Sequence, residues 1–129
     1  TMAAHVLNEE ETKAGIYPAI EAYEAGKMKG LELFHGQKTE TLFYNWANTW
    51  LAEDFANWNI SKDIKGNTIP ALIIQGKNDQ YGTDKQVELI CQLMENAEPF
   101  FINDCGHAPH LEKSEEVIKR IKTWSNKLL

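Results

Sequence analysis

Two short segments hold the side chains best suited to chemistry. The first is Gln75-Gly-Lys-Asn-Asp79-Gln-Tyr81-Gly-Thr83; the second is Asn103-Asp-Cys-Gly-His107-Ala-Pro-His110-Leu-Glu112. Each leaves the end of a short apolar run, and in open α/β sheets ligands gather at the carboxyl ends of strands. If the two runs are adjacent strands, their ends lie about 5 Å apart. Asp79 can then hydrogen-bond His107 across the gap. A carboxylate on one imidazole nitrogen fixes the tautomer in which the other nitrogen can accept a proton from a nucleophile, and it stabilises the imidazolium that forms. Blander readings stand beside this one: Asp79 can serve as a turn cap before Thr83, and His107 can be a loop residue bonded to backbone. His110 reads as a structural partner in its loop, since one imidazole suffices. Asp104, Cys105, His107, His110 and Glu112 also resemble a metal cluster, but no second ligand pair stands at a set distance. We therefore expect no metal.

The elements that must position these loops are legible from periodicity. Ile69 to Gln75 is short, apolar and rich in branched residues, as in a buried parallel strand with Pro70 near its start. Thr83 and Gln86 form a capping box for a helix through Glu95. Glu98 to Asn103 is a second strand. Ser114 is placed to cap a last helix with Val117, Ile118, Ile121, Trp124 and Leu128 on one face. Strand, helix, strand, helix implies parallel strands with helices packed on the sheet. Two such strands do not make a stable parallel sheet by themselves, so the pattern reads as part of a larger one.

The first half is different. Thr1 to Leu7 begins abruptly, like the tail of a strand. Asn8 and Glu11 suggest a helix start for a segment running to about Ala25, and Lys27 to Phe34 a second helix ending near Gly36. Thr39 can cap a third helix carrying Leu42, Phe43, Trp46, Trp50 and Leu51 at helical spacing. These aromatic residues, with Phe55 and Trp58, either line an apolar pocket or pack against one another.

Composition narrows the function classes. The chain has 129 residues, 43% of them hydrophobic, and a net charge of -6. That length suits one core. No Lys/Arg cluster is present to neutralise phosphates, which argues against a nucleic-acid partner. No apolar run approaches the ~20 residues of a membrane span, and Thr1 to Glu11 lacks the form of a signal peptide. The two cysteines, Cys91 and Cys105, make no disulfide framework. Cys91, among Val87, Ile90 and Met94, is expected to be a small buried apolar residue. A reducing, cytoplasmic setting is the expectation.

The combined motifs carry a resemblance. Gln75-Gly76 and Asp79, Gly106-His107 after the next strand, Trp46 to Leu51 as Trp-x-x-x-Trp-Leu, Asp79 to Thr83 as Asp-Gln-Tyr-Gly-Thr, and Cys105 to Glu112 as Cys-Gly-His-x-Pro-His-x-Glu together resemble the C-terminal part of bacterial α/β-hydrolases. The implied fold class is α/β: a partial three-layer αβα hydrolase fold with parallel strands and a helical lid. The implied organisation is residues 1–7 as the end of a core strand, 8–66 as the lid, and 67–129 as the C-terminal core. The resemblance makes Asp79 the triad acid and His107 the general base, in the chain order of that superfamily. It makes Trp46, Trp50, His5 and Tyr81 candidate substrate-binding residues. It implies a serine hydrolase acting on ester, thioester or activated carbon–carbon bonds of a small organic substrate, with no cofactor. The nucleophile elbow Gly-x-Ser-x-Gly is absent, and none of Ser61, Ser114 and Ser125 is flanked by glycines. The expectation is therefore a C-terminal fragment, inactive alone, whose open sheet edge invites pairing with a second copy. The rivals are an Asp nucleophile, as in dehalogenase-like or epoxide-hydrolase-like members, and a non-catalytic binding module.

Overall fold

The computed structural model describes residues 1–129, which divide into two compact units. One comprises Thr1–Leu7 with Asn59–Leu129, the other Asn8–Trp58. The chain leaves the first unit at Leu7 and re-enters it at Asn59, and these two residues pair as an isolated antiparallel bridge.

The strand-bearing unit is built on β1 (Ala71–Gly76) and β2 (Ala97–Ile102). They pair in parallel, from Ala71 opposite Ala97 to Gly76 opposite Ile102. The expected parallel arrangement is thus observed. On the other side of β1 the N-terminal segment runs alongside it: Met2 bridges Ile74 in parallel, and the Ala3 amide donates to the Ile74 carbonyl at 2.9 Å. With neighbours on both edges and helices over both faces, β1 is buried almost throughout. That is why it reads as a continuous apolar run rather than an alternating one.

Alternation is still visible in where its side chains go. Leu72 and Ile74 join Ile102, Cys105 and Val117 in one apolar cluster, with Phe100 and Trp124 against it. Ile73 joins Val6, Val87 and Ile90 in another, with Ile60, Ile64 and Phe101 among the flanking residues. Helices α7 (Ser114–Ser125) and α5 (Asp84–Leu93) supply Val117 and the Val87/Ile90 pair to these separate clusters. The result is helix, sheet, helix, the three-layer α/β arrangement expected. Each fully buried aliphatic side chain contributes about 1.5–3 kcal/mol by leaving water. A short helix α4 (Ser61–Ile64) also belongs to this unit. Residues 59–66, grouped with the lid on sequence, thus pack with the strands, because Ile60 and Ile64 bury their side chains there.

Several local expectations are corrected. Ser114 is the first helical residue of α7 and makes no capping hydrogen bond. Ile118, Ile121 and Leu128 are exposed, and only Val117 and Trp124 of the anticipated face pack inward. Cys91 is half-buried and Cys105 is the buried one. Of the expected capping box at α5, the Thr83 side chain is seen to cap the helix, accepting from the Lys85 amide. Gln86, fully buried, also reaches across to the N-terminal segment, accepting from the Val6 amide at 2.8 Å and donating to the Leu7 carbonyl at 3.0 Å.

The helical unit holds α1 (Glu10–Glu24), the short α2 (Glu32–His35) and α3 (Thr39–Leu51). Helix α1 packs against α3. Its buried residues Thr12, Ile16 and Ala19, and those of α3, Thr39, Phe43 and Ala47, recur at three- and four-residue spacing, the periodicity of one helical face. Tyr23 stacks on Phe43 with ring centroids 4.1 Å apart. Asn8 does not cap α1. Its side-chain amide instead donates to the Trp50 and Phe55 carbonyls, both at 3.1 Å, so it ties the start of the unit to its end. The segment from Lys27 to Phe34 forms a helical turn at Lys29–Leu31 and then α2 rather than one helix. Gly36 closes α2 with a positive φ of 52°, a conformation that glycine adopts without steric cost.

Candidate active site

Both chemistry-bearing loops emerge at the carboxyl ends of β1 and β2, and they are joined directly. The Lys77 amide donates to the Ile102 carbonyl and the Asn78 amide to the Cys105 carbonyl, each at 2.9 Å. This approach requires a glycine at position 76. A Cβ there would fall 2.2 Å from the Gly106 carbonyl oxygen and 2.3 Å from that of Cys105. Those neighbours are backbone and cannot swing aside as a side chain can. Gly76→Ala is therefore expected to destabilise the chain by at least about 2 kcal/mol, read as a lower midpoint in urea unfolding. An unchanged midpoint would refute the close approach.

Asp79 and His107 meet across this junction. The His107 Nδ1 lies 2.9 Å from Asp79 Oδ2 and 3.0 Å from Oδ1. An ionised carboxylate can only accept, so Nδ1 carries the proton and Nε2 is the basic nitrogen. The Asp79 side chain is 0% exposed, that of His107 39%. A buried carboxylate needs partners, and Asp79 has them: the Tyr81 amide donates to Oδ1 at 2.8 Å and Gln75 Nε2 to Oδ2 at 2.8 Å. Burial pushes its acidity towards the neutral form. The hydrogen bond from His107 and the amides of Tyr81 and Gly82 act the other way and prevail, holding the carboxyl below its ordinary range.

Gln75 has a role that the sequence motif does not reveal. It is a polar residue at the end of an apolar strand, 1% exposed, and its amide also donates to the Gly82 carbonyl at 3.0 Å. It thus braces the acid and the turn after it. The available signal was a polar side chain inside a strand that is otherwise apolar on both faces.

Of the remaining candidates, Tyr81 sets its ring edge-on to His107, with centroids 4.9 Å apart. The His5 ring lies 6.3 Å from that of His107. His5 also lies against Gly82, where a Cβ would stand 3.0 Å from the imidazole. Asp79, His107, Tyr81 and His5 therefore converge in one unit. Trp46 and Trp50 lie in the other. Trp46 packs on Phe43 at 5.6 Å, and Trp50 forms a cluster with Phe55 at 5.3 Å and Trp58 at 5.6 Å. His110 is exposed on the short helix α6 (Pro109–Glu112). Of the residues with metal-like spacing, Cys105 sits in the apolar cluster beneath the loop, and the Glu112 carboxylate accepts from the Gly106 and Ala108 amides. No helix is long and apolar enough to cross a membrane.

Comparison with known proteins agrees with this architecture. Residues 34–114 match the family model of the α/β hydrolase fold. The chain is 41% identical over 58 residues to a protein of Haemophilus influenzae assigned as an esterase/lipase, a match covering 45% of this chain and 20% of that protein. It is 25% identical over 80 residues to the proline iminopeptidase PfmaB of Pestalotiopsis fici, covering 62% of this chain and 28% of that one. Among solved structures, the CarC enzyme, a serine hydrolase involved in carbazole degradation, superposes with a TM-score of 0.69 at 17% identity, over 97% of this chain and 52% of CarC. That last likeness speaks for the fold alone. This chain thus spans about a fifth to about half of the proteins it matches. With the family model covering α3, both strands and the two loops, the chain belongs to the α/β hydrolase fold family.

Proposed function

We propose that this chain supplies the acid and the histidine of a nucleophile–His–Asp triad in a serine hydrolase acting on ester, thioester or activated carbon–carbon bonds of small organic substrates. The observation that carries the reading is the buried Asp79 carboxylate held at 2.9 Å from His107 Nδ1, at the carboxyl ends of two parallel strands. In this reading the nucleophile comes from residues outside this sequence. His107 takes its proton through Nε2 and returns it to the leaving group; Asp79 holds the tautomer and stabilises the imidazolium. The proximity of Tyr81 and His5 to the His107 ring supports their assignment to substrate contact. Trp46 and Trp50 supply apolar surface in the same reading, with the helical unit as the lid. The assignment of the Haemophilus relative as an esterase/lipase favours ester chemistry.

None of the chain's own serines stands at a strand-to-helix turn. Ser61 and Ser114 open helices, and Ser125 ends one. The chain alone is therefore expected to show no His107-dependent turnover. A fluorophosphonate probe tests the whole reading. The protein carrying the upstream nucleophile segment should label on serine and turn over an activated ester, and this chain should do neither. Ester turnover without labelling would replace serine with an Asp nucleophile. Neither labelling nor turnover would leave a binding module.

A further inference from the structure

Glu112 makes two hydrogen bonds that bracket the histidine. The Gly106 amide donates to its Oε2 at 2.7 Å and the Ala108 amide to its Oε1 at 3.0 Å. These are the residues immediately before and after His107. The Glu112 backbone completes the ring by donating its own amide to the Ala108 carbonyl at 3.0 Å. Helix α6 makes this possible: Pro109 is buried at its first turn, and a single turn then brings Glu112 back over the loop. The position before the histidine must be small. A Cβ on Gly106 would stand 3.1 Å and 3.3 Å from the two carboxylate oxygens. The two amides hold the Glu112 carboxyl below its ordinary range, as expected of a carboxylate that receives backbone donors.

We propose that Glu112 is a positioning residue for His107: its carboxylate clamps the amides on both sides of the histidine and so fixes the loop that aims the imidazole at Asp79. The proposal rests on the acid–histidine reading above. Glu112 is exposed, and exposed charges contribute little to global stability. Its effect is local. Without the carboxylate, the Gly106 and Ala108 amides lose their acceptor, the loop opens more often, and the Nδ1 proton meets water.

The test is hydrogen exchange by NMR on the 15N-labelled chain, following the His107 Nδ1 proton and the Gly106 and Ala108 amides. In Glu112→Ala all three are expected to exchange at least roughly tenfold faster, the scale set by losing a hydrogen bond to a charged group. The β1 amides should keep their protection, a pattern that a general loss of stability would not produce. Glu112→Gln retains one acceptor oxygen, so one amide should lose protection and the Nδ1 proton should show an intermediate acceleration. If Glu112→Ala fails to fold, this second variant decides. Unchanged Nδ1 exchange in the folded variant overturns the clamp while leaving the acid–histidine pair intact. Absence in the parent chain of an Nδ1 proton signal that Asp79→Asn abolishes overturns the pair, and the clamp with it.

Discussion

Replacing His107 with alanine in the protein that carries the nucleophile is expected to lower kcat by roughly a million-fold, the scale seen when a triad histidine is removed. The physical reason is that, in the proposed triad, His107 is the group that moves the proton. Nδ1 of His107 is held by Asp79, which leaves Nε2 as the basic nitrogen. His5 is not a substitute in this reading, because its ring lies 6.3 Å from that of His107, while the Asp79 carboxylate receives His107 Nδ1, the Tyr81 amide and Gln75 Nε2. The substrate should still bind, so KM should change far less than kcat. A kcat within about tenfold of the parent would show that the general base lies elsewhere. Single-turnover kinetics with an activated ester would make the measurement.

Asp79→Asn is expected to lower kcat by about ten thousand-fold, by a different route. The replacement keeps the shape but not the acceptors. Both carboxylate oxygens receive donors in addition to His107: the Tyr81 amide on Oδ1 and Gln75 Nε2 on Oδ2. Whichever way the new side chain turns, its NH2 group faces a donor. If it turns towards His107, it donates to Nδ1 and forces the proton onto Nε2, the tautomer that cannot accept from a nucleophile. An unsatisfied buried donor costs a further ~1–3 kcal/mol of stability. The double variant with His107→Ala should be no slower than His107→Ala alone, since the acid acts only through the histidine.

The same substitution has a pH signature in this chain. The Asp79 carboxyl is held below its ordinary value in the folded protein, while in the unfolded chain it returns to about 3.9. The unfolded state therefore binds the proton first as pH falls. The stabilisation is fully present above the unfolded value and is lost as pH drops through the lower, folded one. Urea unfolding at a series of pH values should show the parent's advantage over Asp79→Asn at neutral pH shrinking through that acid window. A constant gap would mean that the carboxylate is not favoured by its surroundings.

The amino-acid order by itself determined the two strands, the helix between them and the last helix, because each is a short, strongly patterned segment, although only Val117 and Trp124 of the last helix's apolar face pack inward. It also determined which residues could do acid–base work, since Asp79 and His107 both follow runs that end in glycine-bearing turns. Helix ends were harder to read. Asn8 and Ser114 have the right chemistry for caps, yet the first spends its amide on the Trp50 and Phe55 carbonyls and the second lies inside its helix. A capping residue competes with every other acceptor and donor the fold brings near it, and sequence spacing does not list those competitors. The packing of residues 59–66 was hard to read for a similar reason: Ile60 and Ile64 are too few to show a period, and their partial burial against Val6 and Ile73 exists only once distant segments meet. The tertiary structure alone decided the precision of the site. Gln75 and the Tyr81 amide close around Asp79 and Glu112 returns to the amides beside His107 through the local folding of each loop, while the close approach of two backbones at Gly76 and the Asp79–His107 contact are consequences of parallel pairing. Hydrogen bonds act over about 3 Å, and only the register of β1 against β2 sets distances between loops 28 residues apart to that tolerance.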